Sequence, residues 1–156
     1  MKEIVPDLIK PSKKLDPSYT GEYDFFLDSK IRLEVKASRA VDKDSDAPLY
    51  AKALSADSDK GFLMNFQQLK PTCCEVFVWV AVWTDVIRYW VMSASEVSGH
   101  ECYQDKHHRG NKGEGQFHVT HKNINKITPF EVRAVDLLAA IRSAYERQHK
   151  STGSGG

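Results

Sequence analysis

Long apolar runs are missing from this 156-residue chain: the longest, Val76 to Trp83, has eight residues. A membrane-spanning helix needs roughly twenty, so none is predicted. Met1 to Asp7 carries Lys2, Glu3 and Pro6 with no apolar core between them; no cleaved secretory signal is predicted, and the cytoplasm is the expected location. Cysteine is scarce. Three residues, two of them adjacent at Cys73 and Cys74, cannot pair off into a disulfide framework, which fits buried free thiols in a reducing compartment. An excess of either charge is also absent, the net charge being +1, so any binding to a polyanion must come from local positive charge. What the chain does have is 41% hydrophobic and 10% aromatic residues, enough for one real core and too much for disorder. Residues 1–150 are expected to form a single domain, with the Ser-Thr-Gly-Ser-Gly-Gly of 151–156 as a flexible tail.

From Glu22 to Ala37 the sequence alternates with period two: Tyr23, Phe25 and Leu27, then Ile31, Leu33, Val35 and Ala37, interleaved with Asp24, Phe26, Asp28, Arg32, Glu34 and Lys36. This predicts a hairpin with one apolar face. A three-residue loop, Asp28-Ser29-Lys30, pairs Leu27 with Ile31, sets Phe26 against Arg32 and Asp24 against Glu34, and leaves Phe26 as the one apolar residue on the polar face. A two-residue turn would mix the faces. The acidic stretch after Ser38 (Asp42, Asp44, Asp46) predicts an exposed loop, followed by a helix-like Leu49 to Leu54. Phe62, Leu63, Phe66 and Leu69 fall at helical spacing before Pro71, predicting a short amphipathic helix over 61–70. Glu75 to Thr84 predicts a central strand covered on both faces, and Val86 to Met92 a strand returning from a turn at Asp85. Ser93 followed by Glu96 predicts a capped helical turn. Residues 98–116 predict a long loop, Gln116 to Thr120 a short strand, and Pro129 to about Gln148 a final amphipathic helix. The fold class is α/β: a mixed four- to five-stranded sheet flanked by helices.

The chemistry is concentrated on the hairpin. Two carboxylates, Asp24 and Glu34, face each other across it, and like charges so placed repel. A divalent cation removes that repulsion, since Mg²⁺ takes hard oxygen ligands, often one or two carboxylates with water and phosphate oxygens. With Lys36 alongside, such an ion makes an apparatus for cleaving phosphodiesters: the metal polarises the phosphate and acidifies a water, which Lys36 orients while offsetting transition-state charge. Glu-x-Lys alone is a common tripeptide; the alternating strand and the Asp opposite give it meaning. Ser38 and Arg39, just downstream, are candidates to hold a phosphate, and Gln67 to approach a phosphate or the attacking water.

Gly21-Glu22-Tyr23-Asp24 followed by Ile31-Arg32-Leu33-Glu34-Val35-Lys36-Ala37-Ser38-Arg39 resembles the Asp…Glu-x-Lys core of the PD-(D/E)xK nuclease superfamily, which includes most type II restriction endonucleases. The match covers about twenty residues, and Tyr23 stands where the motif commonly has Pro. The resemblance implies a restriction-endonuclease-like core in the order metal-site hairpin, helix, further strands. It also implies Mg²⁺-dependent cleavage of double-stranded DNA, with Mn²⁺ as a substitute, in which Asp24 and Glu34 are metal ligands, the Val35 carbonyl a further ligand and Lys36 the catalytic lysine. One such site cuts one strand, so a double-strand cut predicts a homodimer with a two-fold axis.

Five of the six histidines lie between His100 and His121. A zinc site is not favoured there, because His118 and His121 would face opposite sides of a strand and the chain has no cysteine pair separated by two residues. His107, His108, Arg109, Asn111 and Lys112, with Gly110 and Gly113 among them, suit a nucleic-acid-binding loop: Arg and Lys contact phosphates or guanine edges, Asn reads adenine, and Gly permits close approach. Trp79, Trp83 and Trp90 are expected in the core.

Overall fold

A computed structural model describes residues 1–105 and 114–153 of the chain. The hairpin has the expected register. Strands β1 (Phe25–Leu27) and β2 (Ile31–Arg39) are antiparallel, pairing Leu27 with Ile31, Phe26 with Arg32 and Phe25 with Leu33. Asp28 and Ser29 turn the chain at φ 53° and 55°, a left-handed conformation that short polar side chains tolerate better than most. Arg142 braces the turn from across the molecule, its Nε and Nη2 donating to the two Asp28 oxygens at 2.9 and 3.0 Å.

The strand β2 continues into β3 (Val41–Asp42), the short helix α1 (Leu49–Lys52) and β4 (Phe62–Leu69) before the chain returns as β5 (Val76–Val82), parallel to β2. A tight turn leads to β6 (Ile87–Ser93), antiparallel to β5. Ser93 then caps α2 (Ala94–Ser98) in a reciprocal capping box with Glu96, as its spacing predicts. Strands β7 (Tyr103–Gln104) and β8 (Gly115–Thr120) come next, then β9 (Glu131–Val132) and the helix α3 (Leu137–Gly153). The strands form a five-stranded mixed sheet in the order β1-β2-β5-β6-β9 and a four-stranded antiparallel sheet in the order β3-β4-β8-β7.

The predicted helix over 61–70 is therefore a strand, and the second sheet takes the place of a helical layer. Period-two burial holds at Met64 and Phe66, after which the register slips before Leu69. The slip leaves Gln67 and Gln68 exposed, Gln68 at φ 58°, and brings Leu69 back to the buried face three residues after Phe66. A bulge inserts an extra residue in this way, and the resulting i, i+3 spacing imitates a helix. The last element also differs. Residues 128–136 form two short 3₁₀ turns around β9, and the α-helix starts only at Leu137. Val135, placed on the apolar stripe by periodicity, is 80% exposed.

The five-stranded sheet is covered on both faces, so its central strands read as near-continuous apolar runs. On one face Ile31, Leu33, Val76, Val78 and Val91 pack with Leu137, Ile141 and Ala144 of α3. On the other, Phe77, Trp79 and Trp90 pack with Met64, Phe66, Phe117 and Val119 of the second sheet. Trp79 is the centre of that cluster, its ring centroid 4.7 Å from Phe117, 4.9 Å from Phe66 and 5.3 Å from Phe77. Its indole N–H is buried without an acceptor. Trp79→Ala should therefore destabilise by about 3–5 kcal/mol, whereas Trp79→Phe, which discards an unpaired donor, should cost much less. Urea-unfolding midpoints of the two variants test this, and similar losses would contradict it.

Candidate active site

Alternation along β2 sends Arg32, Glu34, Lys36 and Ser38 to one face of the sheet and Leu33, Val35, Ala37 and Arg39 to the other. On β5 the paired residues of the first set are Phe77, Trp79 and Ala81, which belong to the core shared with the second sheet. The polar face of β2 thus looks toward the second sheet at the margin of that core. Glu34 and Lys36 are half-buried there, with side chains 15% and 23% exposed.

Asp24 sits immediately ahead of β1. Its N–H donates to the Leu33 carbonyl at 3.0 Å, and its Oδ2 accepts the Val35 N–H at 2.9 Å. These two bonds fix the carboxyl beside Glu34 and leave Oδ1 for another partner. In a strand the N–H and C=O of one residue point to the same side, so the Val35 carbonyl is directed to the Asp24 side of β2. Lys36 Nζ lies 3.5 Å from Glu34 Oε1. Burial, the Asp24 charge and a hydrogen bond between the two carboxyls push the Glu34 pKa up to about 7, against the opposing pull of Lys36. A proton at neutral pH thus relieves the repulsion between the carboxyls.

The structure brings Asp24, Glu34 and Lys36 together and disperses the other candidates. Ser38 Oγ accepts the Asn65 N–H at 3.1 Å, bracing β4 against β2. Arg39 is exposed on the opposite face of the sheet. Gln67 is exposed in the β4 bulge, on the strand that Ser38 holds beside β2. His107, His108, Arg109, Asn111 and Lys112 lie outside the described residues.

Two further groups border the site. Arg32 precedes Glu34 on the same face and is held by Glu75: its Nε and Nη2 donate to Oε1 at 2.8 and 2.7 Å, and its N–H donates to Oε2 at 2.7 Å. Alternation alone places Arg32 on this face, but its partner lies 43 residues away, beyond any local pattern. Asn65 Nδ2 reaches Gln116 Oε1 at 3.5 Å, which His118 Nε2 approaches at 2.9 Å. Asn65 Oδ1 is buried without a partner. That pairing depends on β4 and β8 being neighbours, so assigning 61–70 to a helix hides it.

Among the described residues no three His, Cys, Asp or Glu side chains gather as a metal cluster, and no helix is long and apolar enough to cross a membrane. No family model matches the chain, and no curated protein and no solved structure matches it either.

Proposed function

We propose that the protein is a metal-dependent DNA endonuclease, hydrolysing phosphodiester bonds at Asp24, Glu34 and Lys36. The observation that carries this reading is a pair of neighbouring carboxyls on one hairpin, Asp24 held by the Val35 N–H at 2.9 Å and Glu34 lying 3.5 Å from the Lys36 ammonium. Such a pair carries a repulsive charge at neutral pH unless a proton or a cation sits between its members.

The donor set fits Mg²⁺ or Mn²⁺. Asp24 Oδ1, Glu34 and the Val35 carbonyl are hard oxygens, and an ion with so few protein ligands completes its shell with water and substrate phosphate oxygens. Once bound there, the ion supplies Lewis acidity toward the phosphate and lowers the pKa of a water. The protein's own groups do the rest. The Val35 N–H holds Asp24 in one orientation, Glu34 keeps the Lys36 ammonium forward, and Lys36 orients the water and offsets charge on the phosphorane-like transition state.

The sheet supports a restriction-endonuclease-like core in part: the hairpin with its acid pair is followed by a central strand, β5, parallel to β2. The connection between them runs through β3 and β4 of a second sheet, a departure from the helix that the resemblance implies. Site-specific cutting of double-stranded DNA in the cytoplasm by a homodimer is the fullest form of the proposal. Supercoiled plasmid incubated with Mg²⁺ or with EDTA tests it. Discrete linear bands that vanish with EDTA are expected; a smear would indicate a nonspecific nuclease, and an intact plasmid under every divalent metal would leave only a noncatalytic binding module.

A further inference from the structure

A cleft of about 680 Å³ opens between the start of β5, α2 and the end of α3, lined by Arg32, Thr72, Cys74, Glu75, Tyr103 and Gln148 among others. Its volume lies within the range of small-ligand sites. It also adjoins the carboxylates. Arg32 lies two residues before Glu34 on the same face of β2, roughly 7 Å along the strand.

Resting on the nuclease reading, we propose that this cleft is a nucleoside subsite, receiving one unpaired base next to the phosphate held at Asp24 and Glu34. Its walls have the chemistry that recognises an unstacked base. Glu75 locks the Arg32 guanidinium as a flat, partly exposed plate, its side chain 36% exposed; a fixed guanidinium plane stacks on aromatic rings. The Tyr103 ring is fixed over Gly115, where any Cβ would collide with it, and offers an aromatic surface of the kind single-stranded bases stack on. The hydroxyl of Thr72 supplies a donor and an acceptor for a base edge. Gln148 commits its Oε1 to the Ser95 N–H at 2.8 Å, which leaves its amide NH₂ to donate. A paired base cannot enter a cleft of this kind without leaving its stack, at a cost that is least where the base is already unpaired. The subsite moves the preferred substrate away from the intact duplex of site-specific cutting to DNA with an unpaired nucleotide at the cut: single strands, bulges, mismatches or gaps.

Three labelled oligonucleotides of one sequence test the proposal with Mg²⁺: a single strand, a perfect duplex and a duplex bearing one unpaired nucleotide. The two unpaired substrates should be cut at least about tenfold faster than the duplex, and Thr72→Leu and Tyr103→Leu should each lower those rates about tenfold. With 2-aminopurine at the cut position and EDTA present, binding to the wild-type chain should quench its fluorescence, and Tyr103→Leu should relieve the quench. Equal cleavage of paired and unpaired strands, with both variants neutral, would overturn the subsite alone. No cleavage of any of the three by the wild-type chain would overturn the nuclease reading and this one with it.

Discussion

Asp24→Asn should lower phosphodiester cleavage by about a thousandfold, or roughly 4 kcal/mol of transition-state stabilisation, while the fold survives. The substitution keeps an oxygen to accept the Val35 N–H, now held at 2.9 Å, and removes only the charge that an ion would meet. Asp24→Ala discards both, and the orphaned N–H adds a stability loss of about 1 kcal/mol that would obscure the catalytic effect. Lys36→Met should cost between about a hundredfold and a thousandfold, in the range found when one preorganised electrostatic group is deleted from a site. Neither variant should unfold at a markedly lower temperature than the wild type at pH 5. Steady-state cleavage with melting curves on the same samples provides the check. A variant that retains wild-type turnover removes its residue from the mechanism.

The second large effect is a dependence of stability on pH. In the absence of divalent ions the native Glu34 carboxyl titrates at about 7 against an ordinary 4.5, so the native state keeps a proton that the unfolded chain has already released. Stability therefore falls as pH rises through this window, by about 3 kcal/mol in all, and levels off above it. A domain of this size should lose about 10 °C in melting temperature between pH 4.5 and pH 8 from this group. Glu34→Gln, which is neutral at every pH, should flatten that slope and exceed the wild type in stability at pH 8 while cutting nothing. Added Mg²⁺ should restore wild-type stability at pH 8 and have little effect at pH 5, where the carboxyl is protonated and must lose its proton to bind. Melting curves over this pH range, with and without Mg²⁺, test both statements; a wild-type profile identical to that of Glu34→Gln would contradict them.

The hairpin and its acids were legible because strand periodicity carries register. Only the three-residue loop at Asp28 to Lys30 gathers the apolar residues on one face, and the same loop sets Phe26 against Arg32. The central strand was legible as well, since burial on both faces leaves an unbroken apolar run from Val76 to Val82. The second sheet was not. In β4 the bulge between Phe66 and Leu69 resets the inward phase, and a reset strand and a short helix share the same apolar spacing. Periodicity starts the final helix too early because Val132 and Val135 have the period of a helix, although one belongs to an edge strand and the other lies open to solvent. At the site, the three principal residues are local to one hairpin, whereas the Arg32–Glu75 clamp and the Asn65–Gln116 contact join segments 43 and 51 residues apart. Contacts of that separation follow from topology, which a misassigned strand removes from view.

The cation site is tested most directly by titrating Mn²⁺ into the wild-type chain and into Asp24→Asn at pH 8, with free ion followed by electron paramagnetic resonance. One site that is saturable in the wild type and lost in Asp24→Asn is the predicted result. No saturable site in the wild-type chain, or an unchanged site in the variant, would contradict it.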